Sequence, residues 1–338
     1  MTSTSTASPE TNLRQRLLNW RFMFEGVVLG ALYGVVLRIA MKAPERLWWL
    51  RDAAGVMTVA FLVLGPIVMG YLVVRRAERG GKIPIGLWFG APILSVTLMM
   101  GILMLFAWEG AICVLMALPI AWVCGAIGGV LGGLSVRFSK LSGRTTACIA
   151  VLPFLLAPLE ARFTAPTQTR TVASEIRIHA PAATVWKNIE RVPAIAPSEL
   201  HKTWAQRIGF PRPVEATLSY EGVGGVRHAS FERGLVFIET VNAWEPEKRL
   251  AFGIKADTAN IPPTTLDEHV TIGGRYFDVL DGEYRLEPLP NGDTLLHLTS
   301  HQRLSTDFNG YAGLWTDAVM QSLQTSILAV IQHRCEHS

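Results

Sequence analysis

Residues 144–162, RTTACIAVLPFLLAPLEAR, are the stretch on which the fold turns. No residue from 145 to 159 is charged, so at about 1.5 Å per residue a helix there falls slightly short of a hydrocarbon core of roughly 30 Å. Pro153 and Pro158 would break a helix in water, whereas a membrane span tolerates them when neighbouring helices satisfy the freed carbonyls. The competing reading is a re-entrant or interfacial segment. The chain before this stretch reads as membrane and the chain after it as a domain in water, so whether it crosses decides the side on which that domain works.

The composition is consistent with such a seam. Of 338 residues 50% are hydrophobic and 17% charged, and the mean hydropathy of +0.30 averages a very apolar first half with an ordinary second half. The net charge of +4 does not point to nucleic acid, because much of the excess lies in short loops such as RRAERGGK at 75–82 and no basic stripe interleaved with aromatics occurs. Cys113, Cys124 and Cys148 fall in apolar segments, which leaves Cys335 alone in the later half and excludes a disulfide within it.

Outward from the seam toward the N-terminus, four further apolar segments, 22–41, 53–74, 85–107 and 111–136, complete with 145–160 an expected bundle of about five spans over 21–162. Residues 1–20 are polar, lack a signal-peptide cleavage site, and are expected to form a disordered tail. Arg14, Arg16, Arg21, Arg75, Arg76, Arg79, Lys82, Arg137, Lys140 and Arg144 would share one side; Arg38, Lys42, Arg46 and Arg51 dissent. That asymmetry predicts an integral protein of the cell (inner) membrane with a cytoplasmic N-terminus, and a fifth span would then place the later domain outside the cytoplasm. Gly125, Gly129 and Gly133, with Gly128 and Gly132 alongside, mark a face for close packing, within the bundle by preference or in an oligomer. No span carries a central charge suited to a transport path, so the bundle reads as an anchor.

Beyond the seam, 163–170 is a polar linker, 172–178 a strand, and a helix follows with Pro181 in its first turn and Val185, Trp186 and Ile189 on one face. A short helix is expected around 199–206. From Val214 the period becomes two, predicting strands at 215–220, 226–232, 235–244, 249–255, 275–287 and 293–305, with Asn291-Gly292 the strongest hairpin signal. Residues 257–274, containing Pro262 and Pro263, form a long loop of the kind that serves as a lid. Trp315, Val319, Leu323, Ile327 and Ile331 recur every four residues over 313–334, with Asp317, Gln321, Gln324 and Gln332 expected on the surface of that helix. The plan is α+β, with a sheet and a long final helix enclosing a space.

Ala180-Pro181 with Val185-Trp186, GVGGVRHASF at 222–231, ETVNAWEPEKRLAF at 239–252 and YRLEPLPNGDTLLHLTS at 284–300 together resemble the SRPBCC superfamily, which includes START lipid-transfer and polyketide cyclase-like proteins. The resemblance covers about 171–335 and implies a helix-grip fold, a curved antiparallel sheet wrapped around a C-terminal helix. It implies a cavity for a lipid or small hydrophobic molecule, with pocket candidates Tyr220, Phe231, Trp244, Phe252, Tyr276, Tyr284, Leu286, Trp315 and Val319 and lid residues in 256–274.

Gly222, Gly224 and Gly225 lie between two strands and read as a hairpin turn rather than a dinucleotide loop. His228, His269, His297, His301, Glu239, Asp278, Tyr220, Tyr276 and Tyr284 are the candidate chemical groups. His297 and His301 share a face opposite Leu296, Leu298 and Leu304, which puts them toward solvent, whereas Tyr284 and Leu286 alternate inward. No metal-ligand spacing, nucleophile elbow or phosphate loop occurs, so neither a cofactor nor a metal is expected and no catalytic residue is assigned. Three functions follow: a membrane-anchored binding module for a lipid or hydrophobic ligand, a cyclase- or hydratase-like enzyme using Tyr or His on an aromatic or polyketide substrate, and a structural or signalling partner whose cavity is filled.

Overall fold

A computed structural model of the chain describes residues 9–42, 58–138, 142–160, 162–200, 203–257 and 272–337. The chain divides into two compact units that part at Ala165.

The first unit holds α1 (Pro9–Lys42), α2 (Gly65–Arg79), α3 (Gly86–Leu105), α4 (Ala111–Arg137) and α5 (Gly143–Glu160), with a π-helical turn, Ala60–Leu64, leading into α2. Among the described residues, five helical stretches are long and apolar enough to cross a membrane: Asn19–Met41, Ala60–Arg79, Gly86–Leu105, Ala111–Arg137 and Gly143–Glu160. Residues 9–20, expected as disordered tail, are helical. Pro9 sits where its missing N–H would have had no partner, and the run after it is rich in good helix formers. Residues 1–8 and 53–57 lie outside the described residues.

The glycines of α4 are packed inside this unit. A Cβ on Gly128 would lie 1.9 Å from the carbonyl oxygen of Ile67, one on Gly129 1.9 Å from that of Trp88, and one on Gly132 2.5 Å from that of Tyr71. Backbones of α2 and α3 therefore approach α4 closer than any side chain permits. Charged groups near the helix ends are paired: Arg38 Nε donates to Glu109 at 2.5 Å, and Glu78 accepts from Trp88 Nε1 at 2.8 Å and Arg137 Nη2 at 2.7 Å. Glu160, at the end of α5, accepts from the backbone N–H groups of Val59 and Ala60 at 2.5 and 2.9 Å. A carboxylate there neutralises orphaned donors at the start of another helix.

The second unit has the order β1 (Thr167–Ile178), α6 (Ala182–Glu190), α7 (Trp204–Arg207), β2 (Pro213–Leu218), β3 (Val226–Phe231), β4 (Val236–Glu245), β5 (Arg249–Asp257), β6 (Phe277–Pro288), β7 (Thr294–Ser305) and α8 (Asn309–Glu336). Among the described residues its seven strands form one sheet in the order β1-β7-β6-β5-β4-β3-β2, antiparallel at every pairing. β1 begins earlier than expected because Thr167 to Arg170, read as linker, continue the pairing with β7 as far as Thr167 opposite Ser305.

Alternation decides which face is covered. On β7, Leu296, Leu298 and Leu304 are buried while His297 and His301 remain half exposed, bonded to Glu175 and Glu287 and to Asp281 respectively. The core joins Ile178 and Leu296 from the sheet to Val185, Trp186 and Ile189 of α6 and Leu328 and Ile331 of α8. Gly282 belongs to this packing: a Cβ there would meet the ring of Phe252 at 2.7 Å. The helix α8 departs from its expected amphipathic form, for Gln324 is buried, accepting from Ser174 Oγ at 2.8 Å and donating to Ser300 Oγ at 2.8 Å and the carbonyl of Val172 at 3.1 Å. Asp317 is half buried and pairs with Arg170. Covered by the sheet on one side and by α6 and α7 on others, α8 buries polar groups that find partners. Most of the expected lid, residues 258–271, and His269 within it lie outside the described residues.

Candidate functional site

A small cavity, about 60 Å³, lies between the β2–β4 side of the sheet, the segment 192–195 and α8. Backbone bonds place its walls. Val192 exchanges hydrogen bonds with Ala216 at 2.8 and 2.7 Å, and Ile195 N–H donates to Val214 at 2.7 Å, so this segment runs along the outer edge of β2. Arg334 of α8 holds it from behind, donating to the carbonyls of Pro193 and Ala194 at 3.0 Å each and to both oxygens of Glu199. Buried Val192, Ala216, Ala229, Val330 and Ile331 line the inner part, while half-buried Ile195, Glu215, Ser230, Phe231 and Ile327 lie where the cavity meets solvent.

The innermost polar groups are Arg227, Glu239 and Tyr284. Arg227 and Glu239 stand directly opposite one another on β3 and β4, the closest relation that an antiparallel pair offers two side chains. Arg227 Nη1 donates to Glu239 Oε2 at 2.5 Å and its Nε to the carbonyl of Glu190 at 3.3 Å. The guanidinium lies 5.4 Å from the ring centre of Phe252 and 6.0 Å from that of Tyr284, between two aromatic faces that favour a cation. Both charged side chains are almost wholly out of water, at 4% and 8% exposure. Burial pushes the Glu239 carboxyl up, against the opposing pull of Arg227. Burial works against the charge of Arg227, but Glu239 and Tyr284 outweigh it and the guanidinium is held protonated. The phenol of Tyr284 is pushed up to about 12, first by burial, and so stays protonated at neutral pH.

The nine pocket candidates scatter. Phe231 and Tyr284 line the cavity; Phe252 and Leu286 are buried in the adjoining core, and Trp244 packs edge-on against Trp186 with ring centres 5.1 Å apart. Val319 is buried on α8, but neither it nor Trp315 faces the cavity. Tyr276 is half buried with Arg275 stacked 5.6 Å from its ring centre. Tyr220 is 52% exposed, because β2 ends at Leu218 and the residue falls in the turn instead of on an inward strand position. His228 is exposed on the outer face; its neighbour Arg227 takes the inner one. The signal for Arg227 lies in its period-two register with Ala229 and Phe231. Among the described residues no cluster of three or more His, Cys, Asp or Glu side chains is arranged to hold a metal.

No protein-family model matches the chain, and no curated protein matches it. Similar solved structures include a protein from Rhizobium leguminosarum (16% identity, TM-score 0.31, 51% of this chain and 98% of that one). A START superfamily protein from Mycobacterium smegmatis shows 12% identity and TM-score 0.33 over 49% of this chain and 97% of its own. A point mutant of Thalictrum flavum norcoclaurine synthase shows 14% identity and TM-score 0.31 over 50% and 98%.

Proposed function

We propose that this chain is an integral membrane protein whose helices anchor a helix-grip, START-like domain, and that the domain takes up a small amphipathic molecule from the bilayer. The observation carrying this reading is the cavity itself, apolar on most sides and floored by the buried Arg227, Glu239 and Tyr284. A few well-placed polar groups in an apolar recess fix the orientation of a bound molecule. A ligand leaving the membrane meets a tethered cavity at an effective concentration that a freely diffusing domain lacks. The volume narrows the class: sites for drug-sized ligands run from about 300 Å³ upward, and 60 Å³ takes a small molecule or the polar end of a lipid, with any tail left toward Ile195 and Phe231.

The test is mass spectrometry of small molecules that co-purify with the full chain in mild detergent. A species held by the wild type and lost from A229F, which fills the cavity from β3, is expected. Equal retention by both proteins, or no bound species, overturns the proposal and leaves a filled structural module. A second reading, an enzyme of the cyclase or hydratase kind, is favoured by one observation, a carboxyl raised by burial beside a protonated phenol. It predicts that E239Q retains a compound of different mass from that held by the wild type.

A further inference from the structure

The hydrogen bonds already spent at the cavity floor restrict what can still bind there. Glu239 uses Oε2 on Arg227, and its Oε1 accepts nothing from the described residues; Arg227 spends Nη1 and Nε on Glu239 and Glu190 and also hydrogen-bonds the phenol oxygen of Tyr284, whose own O–H donates to no described residue. Neither Glu239 Oε1 nor the Tyr284 oxygen is among the buried atoms left without a partner, and both residues line the cavity. The floor therefore offers a free acceptor, Glu239 Oε1, and a free donor, the O–H of Tyr284. As a unit the pair is neutral. A ligand bringing a formal charge would shed its hydration and find each opposite charge already engaged, whereas a neutral donor and acceptor lose less on desolvation.

Resting on the ligand-binding reading above, we infer that the polar group this cavity accepts is neutral and carries a donor beside an acceptor, as in a carboxamide or a lactam, in preference to a carboxylate, a phosphate or an amine. The donor of such a group faces Glu239 Oε1 and its acceptor faces the Tyr284 O–H. The specificity lies in the closed charge pair: opening it changes the sign of what binds.

Propanamide, propanoate and propylammonium are close in size and differ in charge, and their binding to the full chain in detergent is measured near neutral pH by ligand-observed NMR against empty micelles. Propanamide is expected to bind at least about tenfold more tightly than either ion, a difference of about 1.4 kcal/mol. In E239Q the Arg227 charge is left uncompensated, and the order should invert in favour of propanoate. The double variant R227Q/E239Q is neutral again and should return to the amide, which keeps the test intact if the single variant folds poorly. Propanoate or propylammonium binding the wild type as tightly as propanamide overturns the inference while leaving a binding cavity in place. Binding of none of the three removes the ligand-binding reading itself, and this inference with it.

Discussion

Arg227 and Glu239 show how a charged pair is kept inside a sheet: opposite each other on adjacent strands, flanked by Phe252 and Tyr284, and away from bulk water. Phe252 can lie there only because the residue across from it on β6 is Gly282. The substitution G282A should cost about 1–3 kcal/mol through overpacking, read as a lower midpoint of unfolding followed by tryptophan fluorescence of the full chain, and F252L should recover part of the loss. At this scale Tyr284 was legible in the sequence, since Glu283 and Arg285 alternate with it toward solvent. Arg227 was not, because a guanidinium in a strand is ordinarily a surface group, and its burial depends on a partner whose register the local sequence does not reveal.

Among elements, the segment beside β2 matters most to the cavity, because it supplies Val192 and Ile195 and is held by the Arg334–Glu199 pair. The Arg334 hydrogen bond holds the Glu199 carboxyl below its ordinary range. A carboxyl lowered on folding contributes stability above its unfolded pKa of about 4.3, and that contribution disappears as pH falls through the folded value. The full chain should therefore lose thermal stability below about pH 4. E199Q should be less stable at neutral pH by about 1–2 kcal/mol, with a shallower fall in acid; an acid limb as steep as that of the wild type would contradict this role. Strand positions and turns were readable from period two and from pairs such as Asn291-Gly292. The start of β1 was not, since Thr167 to Arg170 are polar and only their pairing with β7 makes them strand. Gln324 escaped the helical pattern for a related reason: one stripe cannot describe a helix covered on more than one side.

For the whole molecule, the apolar runs made the division near residue 160 plain, and the helical seam of Gly143–Glu160 is longer than its uncharged stretch alone. Arg38, which dissented from the charge asymmetry, is buried against Glu109 and adds no free positive charge at that end. Counted so, the remaining bias is in line with the expectation that the C-terminal domain lies outside the cytoplasm. Cys335 is unsuited to test it, for it is buried and its thiol is pushed up to about 11, first by burial. T240C, at an exposed position of β4, should instead react with a membrane-impermeant maleimide in intact cells in which the other cysteines are replaced. Labelling that appears only after the membrane is broken would reverse the orientation. The carboxylate of Glu160 bears on the same junction in another way. Tension arriving along the chain from the C-terminal side reaches α5 at a residue already fastened to the first turn leading into α2. A tug is thus shared between two helices, and the joint resists unravelling at the place where a solitary helix end would fray first.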